Sequence, residues 1–261
     1  MKPIKIKRRN FLGLVAGTAA VGMLAGIGLT REKPPAPERY YQERQARILE
    51  DLEPILSHIQ TALAAQTGPG EATAILAATR PLCAGLILQL PYIGGDANDL
   101  TANLVQSAGA LAFYWAMRDY GYDVATTGDI LYKGYDAYAD ATPVLATGFM
   151  SILQVSGLAA LSAEKDAPVS QQQQYPEDWV FTFVDGEGQD FDWGVDYTEC
   201  GICKFFHAQG ADEFTPYLCR LDYPMSRVFN MGLQRTETLA GGGTRCDFRY
   251  KYGRETLAPE S

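Results

Sequence analysis

The sequence predicts an α+β protein: a helical N-terminal part, then a small antiparallel sheet with two helices that carry a cluster of cysteines. Three observations lead there. Apolar residues recur at helical spacing from residue 38 to about residue 162. After Tyr175 the texture changes to runs dense in β-forming residues. Four of the five cysteines, Cys200, Cys203, Cys219 and Cys246, fall in the last quarter of the chain.

The first thirty residues stand apart. Lys7-Arg8-Arg9-Asn10-Phe11-Leu12 places paired arginines before an apolar pair, and Phe11 to Leu29 is uncharged and rich in Gly and Ala. A basic start followed by an apolar stretch is the pattern of an export segment, here of twin-arginine type. The stretch is nearly as long as the ~20 residues of a spanning helix. Residues 11–29 are therefore expected to be a cleaved signal or a lasting membrane tether. This implies a twin-arginine translocase as partner and a periplasmic or extracytoplasmic location. Residues 31–37, with Pro34-Pro35-Ala36-Pro37, read as a stiff linker.

Residues 38–252 are expected to form one domain, helical over 38–170 and α+β over 175–252, with 253–261 as a tail. Tyr41, Ile48, Leu52, Ile55 and Ile59 mark a first helix over 38–65 that Pro54 should bend or restart. Thr67-Gly68-Pro69-Gly70 breaks it. Residues 71–90 read as a second helix with Pro81 as an interruption, and 97–118 as a third. At least one more lies in 128–162, where Tyr132, Tyr135 and Tyr138 share a face. Aromatics at that spacing usually pack, so they are read as core rather than as a substrate stripe.

Trp179 to Val184 and Phe191 to Tyr197, around Asp185-Gly186-Glu187-Gly188, predict a β-hairpin. Gly201–Gln209 reads as a helix that Gly210 ends, and 213–229 as another. Leu233–Thr238 and Arg245–Tyr250 read as strands around a glycine-rich turn.

Charge narrows the partners. The chain carries a net charge of −9. All five basic residues of the first thirty positions are unopposed, so the rest has 17 Lys and Arg against 31 Asp and Glu, a net −14. Such a surface repels nucleic acid and anionic lipid. About 230 residues suffice for a real core without disulfides.

The cysteines leave three chemistries open. Cys200 and Cys203 flank a helix start, where backbone N–H groups, the helix dipole and Lys204 favour a thiolate. Asp196 and Glu199 oppose it by charge and are candidates for proton transfer. His207 follows Cys203 by four residues, one helical turn, and so is a candidate base. Alternatively, Cys200, Cys203, Cys219 and Cys246 hold zinc or an iron–sulfur cluster, although 27 positions separate the last two. The third option is structural disulfides, Cys200–Cys203 or Cys219–Cys246, since an exported protein sits where they persist. Asp222, Arg235, Arg245, Asp247 and Arg249 crowd the same block, and an arginine there suits a substrate carboxylate. Cys83 sits in an Ala- and Leu-rich helix and is read as buried.

Several separated motifs carry a resemblance. Asp196-Tyr197-Thr198-Glu199-Cys200-Gly201-Ile202-Cys203-Lys204, Thr215-Pro216-Tyr217-Leu218-Cys219, Gly232-Leu233-Gln234-Arg235-Thr236 and Cys246-Asp247-Phe248-Arg249-Tyr250 occur in order. With them the chain resembles the L-2-amino-thiazoline-4-carboxylic acid hydrolase family over roughly residues 100–252. The resemblance implies hydrolytic opening of a thiazoline ring at its amidine-like C=N carbon, toward a carbamoyl-cysteine, with a cysteine thiol involved and no cofactor. The expected function is therefore a cysteine-dependent hydrolase breaking a C–N bond of a small cyclic carboxylate. On that reading Cys203 by preference, or Cys200, attacks the carbon. Asp196 or Glu199 protonates the leaving nitrogen or sulfur. Arg235 or Arg249, beside Asp222, holds the carboxylate. The alternative is an exported, non-catalytic protein whose four cysteines bind metal or form disulfides.

Overall fold

A computed structural model of the chain describes residues 36–142, 148 and 157–257. The expected export signal, and most of the segment between the fourth and fifth helices below, lie outside the described residues.

Helix α1, Tyr40–Thr67, buries Leu52, Ile55, Leu56, Ile59 and Leu63, the stripe that 3.6-residue periodicity predicts. Pro54 lies inside it, so the helix does not restart there. Gly68 ends it at φ 88°, a value L side chains avoid, and serves at once as the cap of α2, Pro69–Ile87. Pro69 occupies the first turn of α2, where its missing N–H costs nothing, and the helix continues through Pro81. The two helices form a hairpin against α3, Thr101–Asp119, and α4, Val124–Asp140. Asp123 caps α4 by accepting from the Thr126 amide at 2.7 Å. Tyr135 is buried, and Tyr138 meets His58 of α1 edge-on at 5.7 Å, so the tyrosine stripe packs as expected.

Helix α5, Leu158–Ser170, leads into the sheet. Strands β1, Val180–Asp185, and β2, Trp193–Glu199, form the expected hairpin, and β3, Cys246–Tyr250, adds to β2. The order is β1-β2-β3, antiparallel throughout. The protein is α+β, as the sequence predicts.

Two elements differ from expectation. Leu233–Thr238 is not a strand: its ladder stops at one bridge between Gln234 and Arg249. The Asp247 carboxylate instead takes the amides of Thr236 and Glu237, at 2.9 and 2.8 Å, which a ladder would have used. Residues 213–229 are not one helix but two, α7, Thr215–Cys219, and α8, Asp222–Val228. Pro224 has no N–H to give to the Arg220 carbonyl, so a continuous helix would lose that bond and clash there. The α-helical bonding lapses at Arg220–Leu221, which close tighter turns onto Tyr217 and Leu218. Between the sheet and α7 lies α6, Gly201–Ala208, capped by Cys200.

Candidate active site

Register decides what each strand offers. Tyr197 pairs with Cys246, Val195 with Phe248 and Trp193 with Tyr250, so these residues share one face of the sheet. Asp196, Gly194, Asp247 and Arg249 share the other. The first face, with the start of α3, the start of α6 and the broken helix, encloses a pocket of about 670 Å³ including its open mouth. Tyr197, Cys246, Phe248 and Tyr250 line it from the sheet, and Leu100 and Asn103 from α3. Trp179, Cys200 and Ile202 close one side, and Leu218, Cys219, Asp222 and Arg235 the other.

Cys200 is the pocket thiol whose surroundings favour ionisation. It caps α6 in an extended conformation, φ −125° and ψ 119°, as an N-cap residue does. The Cys203 thiol donates to its sulfur and lowers its pKa, against the opposing effect of burial. The amides of Cys203 and Ile202 and the Trp179 indole N–H lower it further. The amide contributions arise from the helix start without a regular capping bond being closed. Cys203 responds in the opposite sense: donating to Cys200, and burial, push its thiol far up. Of the two, Cys200 is therefore the thiol that ionises more readily and Cys203 the one that holds its proton. Burial pushes Cys219 up, and Cys246 to about 11, despite the Leu239 amide that donates to the Cys246 sulfur at 3.2 Å.

Arg235 is the cation. Its Nη1 donates to Asp222 Oδ2 at 2.8 Å and its Nη2 to the Cys219 carbonyl at 2.8 Å. That carbonyl is free for the guanidinium because α7 ends at Cys219. Arg235 lies 4.9 Å over the Phe248 ring and 5.3 Å over Tyr223. Burial works against its charge, but Asp222, Cys219 and Tyr223 outweigh this, and its pKa rises. Asp222 is raised by burial, with Arg235 opposing. Burial also raises Tyr197 and Tyr250, which stay protonated donors.

Of the residues picked from sequence, Cys200, Asp222 and Arg235 meet in the pocket, and Cys203 stands directly behind Cys200. Cys219 and Cys246 line it too, whereas Asp196, Glu199, His207 and Arg249 lie elsewhere. Asp196 is on the outer face of the sheet, 2.8 Å from Arg249 Nη1 and 3.6 Å from Arg245. Arg249 is there too, against Phe191, and does not reach the pocket. Glu199 pairs with Lys204 and accepts from Gln173. Lys204 ties down the chain before β1, donating to the Pro176 and Asp178 carbonyls at 2.7 and 2.8 Å. His207 is exposed and bonds Asp212 at 3.0 Å. Trp179, which the sequence pattern marks only as a β-former, and Leu100 and Asn103, which no motif marks, also line the pocket. Among the described residues all five cysteines are free thiols, and no group of three or more His, Cys, Asp or Glu is placed to hold a metal.

This pocket is built from the motifs that carried the resemblance, and residues 144–250 match the family model described as L-2-amino-thiazoline-4-carboxylic acid hydrolase. Over that segment the chain is similar to this family. No curated protein and no solved structure matches it. The family match supports a hydrolase-like domain. Every pocket residue from Trp179 to Tyr250 lies inside the matched segment, whereas Leu100 and Asn103 of α3 lie before it. The start of α3 thus completes a wall of this pocket.

Proposed function

We propose that the chain is a thiol-dependent hydrolase that opens a small cyclic carboxylate of the thiazoline kind at its amidine-like C=N carbon, with Cys200 rather than Cys203 as nucleophile. One observation carries this reading: Cys200, the lowered thiol, faces a pocket that also holds the Asp222–Arg235 pair. A nucleophile and a carboxylate-binding cation then flank one small cavity.

Arg235 keeps N–H donors beyond the two engaged, which suit a carboxylate. Asp222 Oδ1 accepts from the exocyclic nitrogen of the substrate. The Cys200 sulfur adds to the ring carbon, and the ring nitrogen takes the Cys203 proton. The timing favours this transfer. The thiolate that raises Cys203 loses its charge as the new bond forms, so Cys203 becomes the stronger acid at that moment.

Collapse then breaks a ring bond. Sulfur leaves better than nitrogen, since a thiolate is much the weaker base. The C–S bond therefore opens, rather than the C–N bond expected from sequence. Water next adds to the carbon held by Cys200. One water proton returns to Cys203, the other goes to the departing ring thiolate, and the C–S bond to Cys200 breaks. The balance is substrate plus water to a carbamoyl product with a free thiol.

The test is hydrolysis of 2-aminothiazoline-4-carboxylate followed by release of free thiol. Cys200→Ala is expected to abolish turnover, and Cys203→Ala to retain part of it. Undiminished turnover in Cys200→Ala would overturn the proposal. Release of a free amine without a thiol would overturn the C–S step.

We further propose that residues 1–30 direct export by the twin-arginine route, from the paired Arg8 and Arg9 ahead of an uncharged stretch. Arg8→Lys with Arg9→Lys should retain the protein inside the cytoplasm in fractionated cells; unchanged export would reject the route.

A further inference from the structure

We propose that Cys200 and Cys203 are also a dithiol couple for thiol–disulfide exchange, in which Cys200 attacks a small disulfide entering the pocket and Cys203 resolves the mixed disulfide. Placement carries this. Cys200 is the cap of α6 and Cys203 the third residue of that helix. The N-cap and the third helical residue lie within one turn, so the two side chains are neighbours, in keeping with the hydrogen bond that couples their titration. Cys200 lines the pocket, whereas Cys203 does not. Entry is therefore ordered, with an incoming disulfide meeting Cys200 first. Both thiols are free.

Cys219 and Cys246 line the same pocket but come from the end of α7 and the start of β3. The Cys246 sulfur is engaged by the Leu239 amide. Neither shares the local turn that holds Cys203 against Cys200. The division of labour between an attacking thiolate and a protonated resolving thiol is the one exchange requires.

The step balances. The Cys200 thiolate displaces one thiolate from RS–SR and forms Cys200–S–SR. Cys203 gives its proton to the departing thiolate, attacks the Cys200 sulfur and expels the second RS⁻. Two electrons pass to RS–SR, giving one RSH and one RS⁻ that takes its proton from water, and the protein gains one Cys200–Cys203 disulfide. If the hydrolase reading holds, this form is inactive because its nucleophile is consumed. The couple itself does not depend on that reading.

The probe is bis(2-hydroxyethyl) disulfide, titrated against 2-mercaptoethanol on the full chain, with acid quench, alkylation and peptide mass mapping. Expected is a reversible Cys200–Cys203 disulfide with little mixed disulfide. Cys203→Ser should stop at the mixed disulfide on Cys200, while Cys219→Ser and Cys246→Ser should behave as the unsubstituted chain. Full alkylation of both thiols at high disulfide, a bond from Cys200 to Cys219 or Cys246, or a mixed disulfide persisting without the Cys203 substitution would each overturn the couple. The readout is mass, so failure of the hydrolase leaves the result interpretable. Alkylation of Cys200 in Cys203→Ser checks that the variant keeps its pocket.

Discussion

The indole of Trp179 lies flat enough against Gly201 that a β-carbon there would stand 2.7 Å from its ring. Real side chains do not approach that closely. Gly201 follows Cys200 because the helix start must admit the ring whose N–H lowers the Cys200 pKa. Gly201→Ala is expected to displace the indole and raise the Cys200 pKa. Trp179→Phe removes the donor but keeps the ring and should act in the same direction. Rates of iodoacetamide labelling against pH report this: at pH 7 both variants should label several-fold more slowly, with midpoints moved upward. An unmoved midpoint in Trp179→Phe would show that the indole only packs.

Lys204 stands four residues beyond Cys200 but spends its ammonium on Glu199 and the carbonyls of Pro176 and Asp178. Its influence on the thiol therefore runs through Trp179, whose preceding residues it clamps. Asn98 adds to the clamp by donating to Asp178 at 2.6 Å. Lys204→Met should slow Cys200 labelling about as much as Trp179→Phe, and the two substitutions together should cost little more than one. Fully additive effects would argue for direct charge stabilisation by Lys204 instead.

How far this site was legible follows from parity along two strands. Cys246 was a candidate, and alternation then excludes Arg249, three residues on, from the same face. Tyr197 and Asp196 divide in the same way. That signal was present in the sequence and separates Arg235 from Arg249 once β3 is accepted. The preference between Cys200 and Cys203 was not legible in this way. It depends on which sulfur caps the helix and which lies one turn inside, a boundary difference of a single residue. The break at Arg220–Leu221 could have been read from Pro224. The diversion of Thr236 and Glu237 to Asp247 could not, because a side chain replaces a ladder that the β-forming pattern equally supports. Leu100 and Asn103 join the pocket only through tertiary packing of α3, which local pattern does not encode.

Asp247 provides a control for structure against chemistry. It is buried, accepts from two amides and from the Thr236 hydroxyl, and lies on the sheet face away from the pocket. Asp247→Asn replaces an acceptor oxygen by a donor amide and strands at least one of those groups. The expected loss is on the order of 2–3 kcal/mol, as for hydrogen bonds to a charged partner. Urea unfolding measures it, while the Cys200 labelling midpoint should stay in place. A moved midpoint would place Asp247 in the thiol's electrostatics.

The thiols also predict the response to alkali. Burial pushes Cys83 to about 12 and Cys246 to about 11, both above the ordinary thiol value of 9.0. Above pH 9 the unfolded chain therefore releases protons from these two groups that the folded chain retains. The unfolded state then binds fewer protons, so stability falls as pH rises, from about pH 9 until each group titrates in the fold. Cys200 has the opposite sign. Its lowered thiol favours the fold above the unfolded thiol pKa, and that contribution fades as pH falls through the folded value. Chemical unfolding from pH 7 to 11 should therefore show a decline steepening above 9, and Cys83→Ala should make it shallower, whatever that substitution costs at neutral pH. A slope identical in Cys83→Ala and the unsubstituted chain would mean that the buried thiol in α2 does not carry its share of the alkaline loss.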